Sequence, residues 1–288
     1  MFFRRRVGEL IQQDIFSTIR EQIRDFAKSI SRTNSPILLI SRPTLEGSLS
    51  LAPIEAALLD ASIPYRRRFT ISSPDSGPFV QIAGSEDEID TSELHGFTIS
   101  EIIVEGLRGS LGDSRKGPLS PVVQAHALAS EINPLSSRLR RMRPWILSGN
   151  WINEALDTTY DPVFSFLRDH LSTEGSIRIV PITEVPIINF SNYFWLKPSE
   201  IKEACKAWAG SDIEQREIIM GSLANPILNT KLPSTSRAEE LIWHCVLGSG
   251  WESDLASQIS RALSYWSNYS PLEAASIVTD SLVSGGKV

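Results

Sequence analysis

SPILLISRPTLEGSLSLAPIEAALLDASIPYRRRF, residues 35–69, reads as strand, polar loop, helix, strand. Residues 37–40 are a β-branched and leucine run without polar alternation, the pattern of a strand buried on both faces. A polar loop follows at 41–48. The helix predicted at 51–61 carries Pro53 in its first turn, where a missing N–H costs nothing. Residues 65–71 supply the next strand. Two strands joined through a helix pair in parallel, which sets the loop at the carboxyl end of the first strand, where open α/β sheets bind ligands.

The flanking chain extends the same alternation. Apolar residues from Val7 to Ile30 recur at helical spacing and predict one amphipathic helix over 7–30. Strands are expected at 79–82 and 99–104, an exposed loop at 106–118, and helices at 120–132 and 136–147. These elements predict an α/β fold with a mostly parallel sheet and flanking helices. Beyond about residue 158 the texture changes. Helices are predicted at 162–171, 198–208, 211–223, 237–247, 251–265 and 271–283, with one strand-like run at 177–182. The expected organisation is an α/β domain over 1–158 followed by a mainly helical region over 159–288.

Composition narrows the function classes. A formal net charge of −6 over 288 residues argues against a body that coats nucleic acid, although local basic patches remain able to contact phosphates. The two cysteines, Cys205 and Cys245, make neither a disulfide framework nor a cysteine zinc site and fit a reducing, cytoplasmic setting. No apolar run approaches the length of a membrane span, and the basic N-terminus lacks the apolar stretch of a signal peptide. Neither GxxxxGK[ST] nor GxGxxG occurs at the strand–loop–helix unit, so its fold is not that of a common purine-nucleotide binder.

The loop stands as Ser41-Arg42-Pro43-Thr44-Leu45-Glu46-Gly47. It resembles the first motif of the DHH phosphoesterase superfamily, which includes the RecJ-type exonucleases: strand, Ser-His-x-Asp-x-Asp-Gly, helix. Serine and glycine match. Arg42 replaces the metal-binding histidine, and Thr44 and Glu46 replace the two aspartates. A later strand that ends in aspartate in the superfamily corresponds here to Gln81-Ile82-Ala83-Gly84-Ser85. The Asp-His-His motif corresponds to Glu105-Gly106-Leu107, and a final Gly-x-x-x-Asp to Gly149–Asn153, with Asn153 at the aspartate position. The resemblance spans about residues 35–155.

A two-manganese or two-magnesium centre needs several carboxylates and imidazoles to offset four positive charges. The matched positions offer only Glu46 and Glu105, and an arginine at the histidine position repels a cation. The resemblance therefore implies a catalytically inactive branch without metal. In that superfamily such a branch includes a replication factor that joins GINS and the MCM helicase ring. The expected role is a scaffold or interaction module in DNA replication or repair, with replisome components as protein partners and weak contact with single-stranded DNA. Two alternatives stay open. One is a metal-dependent phosphoesterase or nuclease using Mn or Mg held by Glu46, Glu105 and Asp113. The other is a metal-free binder of a nucleotide or phosphate, held by Arg42 and the Gly47 loop.

Outside the motifs, Arg138, Arg140, Arg141 and Arg143 cluster beside Trp145 and are candidates for phosphate contact and base stacking. The competing reading is a solvated helix face. Arg66–Arg68 is a second cluster. His95, His126, His170 and His244 show no metal-ligand spacing. Asp161-Pro162 reads as a helix start with aspartate as N-cap.

Overall fold

The computed structural model describes residues 10–33, 35–70, 77–84, 96–108, 114–153, 155–158, 160–230 and 233–288. Two 3₁₀ turns, Leu10–Gln12 and Asp14–Phe16, lead into α1 (Arg20–Ile30). Then come β1 (Ile37–Ser41), α2 (Leu45–Asp60), β2 (Tyr65–Phe69), β3 (Phe79–Ile82) and β4 (Gly96–Ile99). A hairpin of β5 (Ile102–Arg108) and β6 (Ser114–Leu119) follows, and after it α3 (Pro121–Ile132), α4 (Ser137–Met142), α5 (Ser148–Ile152), α6 (Ala155–Thr158) and α7 (Pro162–Thr173). The remainder is β7 (Ile177–Val180), α8 (Pro198–Trp208), α9 (Ile213–Thr230), α10 (Thr235–Ile242), β8 (Cys245–Gly248), α11 (Leu255–Asn268) and α12 (Pro271–Gly285).

The first four strands form an all-parallel sheet in the order β2-β1-β3-β4, which gives the expected α/β class with flanking helices and a helical C-terminal region. Leu39 lies in register with Arg67 on one side and Val80 on the other. The chain goes from β1 to β2 on one flank and then places β3 on the other. The order reverses between β1 and β3, and the carboxyl ends of these two strands bound the crevice where such a sheet takes a ligand.

Helix α2 is buried along almost its whole length, because it packs on β1 and is covered in turn by α3 and α12. That explains its mostly apolar sequence, and the buried Glu55 is satisfied by Tyr65 and Arg67. A large apolar cluster runs from Leu39 and Ile54 through Val123, Trp145 and Phe164 to Leu255 and Leu282. It therefore includes residues on both sides of position 158. A second cluster, with Tyr193, Ile201, Leu223, Leu241 and Cys245, organises α8–α10 and the β7–β8 pair. Trp151 packs against both. Among the described residues no helix is long and apolar enough to cross a membrane.

Five local expectations are corrected. The loop expected at 41–48 gives way to helix at Leu45, so α2 starts six residues before the expected 51 and Pro53 lies inside it and not in its first turn. The α-helix expected over 7–30 begins only at Arg20; residues 7–9 lie outside the described ones. Arg20 donates to the carbonyls of Ile11 (2.8 Å), Gln12 (3.0 Å) and Gln13 (3.1 Å), so a side chain satisfies acceptors that a continuous helix would have used. The strand expected at 99–104 is two strands: β4 ends at Ile99 and β5 starts at Ile102. Gln124 Nε2 pins the corner between them, donating to Ser100 O at 2.5 Å and Leu119 O at 2.9 Å. The loop expected over 106–118 is largely strand. Its Gly106 and Gly117 are surface for Pro162, since a Cβ at either would press on that residue. The helix expected over 237–247 stops at Ile242, and Cys245–Gly248 pairs antiparallel with β7.

Candidate functional site

The carboxyl end of β1 is built by close backbone approach. A Cβ on Gly47 would collide with Ser41 Oγ and Arg42 O, so only glycine lets the first turn of α2 settle against the strand end. Ser41 is buried, and its hydroxyl donates to Arg42 O at 3.1 Å. Thr44 is the N-cap of α2: its Oγ1 accepts from Gly47 N at 3.1 Å. Ser48, one turn in, donates to Thr44 O at 2.9 Å and toward Ala275 O of α12 at 3.3 Å. Arg42 is partly buried and engaged. Ser41, Thr44 and Gly47 thus shape the helix start.

The acidic part of the crevice differs from the sequence expectation by one strand. Glu105 lies exposed on β5, in register with Lys116 in the hairpin. Because β4 ends at Ile99, the carboxylate just beyond its carboxyl end is Glu101. Asn153 reaches it, donating from Nδ2 to Glu101 Oε2 at 2.6 Å. The structure thus joins Asn153 to Glu101, and Glu46 lies within electrostatic reach of Glu101. The sequence does not single out Glu101, because 99–104 reads as one unbroken strand. The Ser100-Glu101 pair, polar in an otherwise apolar run, was the available signal. Asp113 lies outside the described residues, and among those described no three His, Cys, Asp or Glu side chains come together as a metal site.

Burial, and then the Glu101 carboxylate, push the Glu46 carboxyl above the usual carboxylate range. A raised folded-state pKa means that the folded chain holds this proton more tightly than the unfolded chain. Stability is then lost as pH rises from the ordinary carboxylate value through the raised one. Glu46→Gln removes the cost of ionisation. It is expected to raise Tm near pH 7 and to leave it almost unchanged near pH 4, measured by thermal unfolding at both pH values. A lower Tm near pH 7 would show instead that the Glu46 carboxylate has a stabilising partner.

The basic cluster does not form one surface. Arg143 is buried and forks onto Glu174, with Nε to Oε1 at 2.7 Å and Nη2 to Oε2 at 2.6 Å. Trp145 is fully buried; its indole N–H donates to Gly286 O at 3.0 Å, and its ring lies 5.5 Å from that of Trp251. Arg138 pairs with Asp60. Arg140 and Arg141 are exposed, and Arg141 donates to Ser284 O at 3.2 Å. A short helix followed by a 3₁₀ turn spreads these positions around its axis, so Arg143 and Trp145 face the core and are not available for phosphate contact or base stacking. The second cluster splits by strand alternation. Arg66 and Arg68 are exposed, whereas Arg67 turns inward to Glu55 (2.9 Å) and Asp280 (2.7 Å).

The histidines are dispersed. His126 is buried among apolar residues, and burial, with repulsion from Arg143, pushes its pKa down to about 3, so it is neutral. His170 lies 3.7 Å from Glu174, and His244 lies beside the buried Arg168–Glu240 pair. His95 is outside the described residues. Asp161 is the predicted N-cap of α7, accepting from Val163 N at 2.9 Å and Phe164 N at 3.0 Å. Comparison of the chain with protein-family models and with curated proteins finds no match, so the functional reading rests on these residues.

Proposed function

We propose that the chain is a catalytically silent interaction module built on a frame like that of the DHH phosphoesterases, acting as a scaffold for protein partners in DNA replication or repair. One observation carries this reading. At the switch-point crevice two of the positions that would hold metal carry no ligand: Thr44 stands for an aspartate and caps α2, and Arg42 stands for the histidine. The carboxylates near enough to influence one another there, Glu46 and Glu101, are two, and two carboxylates offset only half the charge of a two-metal centre. The same pair disfavours the phosphate-binding alternative, since an anion entering the crevice would meet negative charge. For single-stranded DNA, the cluster offers its exposed members, Arg140 and Arg141.

A manganese titration with metal analysis, run beside cleavage of a single-stranded oligonucleotide, tests this directly. The expected outcome is no stoichiometric binding and no cleavage above the metal-only blank. Tight stoichiometric Mn²⁺ with phosphodiester hydrolysis would sink the proposal. A pull-down that recovers no replication protein would remove the replisome setting.

A further inference from the structure

Strand β2 ends the parallel sheet on one side. It pairs with β1 alone, and among the described residues no strand lies along its other edge. Burial agrees: β1 is almost wholly buried, whereas no residue of Tyr65–Phe69 is. A parallel ladder turns the backbone groups of alternate residues to the same side. Ile37 N donates to Pro64 O at 2.9 Å, so Arg66 and Arg68, in step with Pro64, turn their N–H and C=O to β1. The N–H and C=O of Tyr65, Arg67 and Phe69 then point off the sheet, and no described residue pairs with them.

The side chains of β2 divide between the two faces. Tyr65 Oη donates to Glu55 at 3.0 Å, Arg67 reaches Glu55 and Asp280, and Phe69 lies 5.5 Å from the Arg67 guanidinium. Arg66 and Arg68 stand on the opposite face. Both are exposed, and neither side chain has an ion pair or hydrogen bond with any described residue. Two uncompensated positive charges, one strand repeat of about 7 Å apart, therefore border a row of unpaired backbone groups.

We propose that this edge takes up an extended, acidic segment of a partner protein as an added strand, with one carboxylate beside Arg66 and the next beside Arg68. The inference rests on the interaction-module reading and supplies its contact surface. In such strand addition the main-chain bonds give affinity and alternate side chains give selectivity. Opposite charges on neighbouring strands attract across one face, and like charges repel. A second copy is therefore a poor occupant: two β2 edges paired antiparallel about Arg67 set Arg66 of each against Arg68 of the other. Nucleic acid is poor as well. Tyr65 and Phe69 lie on the face away from the two arginines, so neither ring can stack a base beside them, and phosphates leave the edge N–H and C=O row without its ladder.

The probes are labelled peptides of about seven residues that alternate threonine with glutamate or threonine with lysine, titrated against the full chain by fluorescence anisotropy. The glutamate peptide is expected to bind at least about tenfold more tightly. Arg66→Glu/Arg68→Glu, at exposed positions, is expected to reverse the preference with unchanged circular dichroism. The glutamate peptide N-methylated at every amide keeps its charge and loses its donors, and is expected to bind about tenfold more weakly or worse. Equal binding of the methylated peptide overturns strand addition. Binding of neither parent peptide reduces the two arginines to guards against self-pairing and overturns the proposal. So does a concentration-dependent dimer that the glutamate peptide dissolves, which gives the edge to a second copy, or displacement of that peptide by a single-stranded oligonucleotide at equal affinity, which gives the arginines to phosphate. The manganese assay separates the two readings. Cleavage with peptide binding intact sinks only the silent-module reading, whereas no cleavage and no peptide binding sinks only the docking edge.

Discussion

Trp145→Ala is expected to destabilise the chain by about 3–5 kcal/mol, with a fall in Tm on the order of 10 °C, and to leave any affinity for single-stranded DNA unchanged in the fraction that stays folded. The tryptophan is 0% exposed, contacts Trp251 at 5.5 Å and belongs to the cluster that joins α3, α7, α11 and α12. Truncation leaves a cavity among rigid neighbours and also removes the donor to Gly286 O, which ties down the end of α12. Denaturant unfolding measures the loss, and anisotropy with a labelled oligonucleotide measures the second quantity. Weaker DNA binding by a fully folded variant would restore the base-stacking role that the burial of this ring argues against. The Arg140→Ala and Arg141→Ala variants are the controls, since their side chains face solvent.

The parallel sheet was legible because its strands announce themselves locally. The apolar run Ile37–Ile40 can bury its side chains only inside a sheet covered on both faces, and the second half of the helix after it is mostly apolar. The Ser41–Gly47 frame was legible only in part: its serine and glycine stand out in the sequence, but the polar residues Glu46, Ser48 and Ser50 disguise the start of α2 as loop. What escaped depends on partners distant in the chain. The corner at Ser100-Glu101 is set by Gln124, and the β5–β6 hairpin by glycines that make room for Pro162. Strand β8 exists because β7 lies beside it, while its residues taken alone continue the periodicity of α10. The one-strand displacement from Glu105 to Glu101 follows directly. Once the corner is missed, the acidic end of the crevice is assigned to the wrong strand.

The Arg143–Glu174 pair tests whether the arginine-rich segment serves the fold or a ligand. Both side chains are nearly buried, 10% and 6% exposed, and Glu174 also accepts from Ser176 Oγ at 2.6 Å. Arg143→Met is expected to cost about 3–5 kcal/mol, because it leaves a carboxylate without its counter-charge in a poorly solvated site. The double variant Arg143→Met/Glu174→Leu is expected to recover most of that loss, since an apolar pair of similar volume avoids the desolvation of both ions. His170 adds a pH dependence. Burial lowers its pKa, Glu174 opposes that shift, and Arg143 reinforces it. In the native chain a lowered histidine pKa makes protonation below the ordinary value a cost to folding. Without Arg143 the repulsion is gone, and a protonated His170 can balance Glu174 across 3.7 Å. The folded pKa of His170 then rises, and the stability gained on protonation is present at low pH and lost as pH climbs through that value. Arg143→Met should therefore be less damaging near pH 5.5 than near pH 8, and the difference should vanish in Arg143→Met/His170→Phe. A single variant with wild-type stability at both pH values would show that Arg143 is not needed by the fold and would return it to the list of residues free to meet a phosphate.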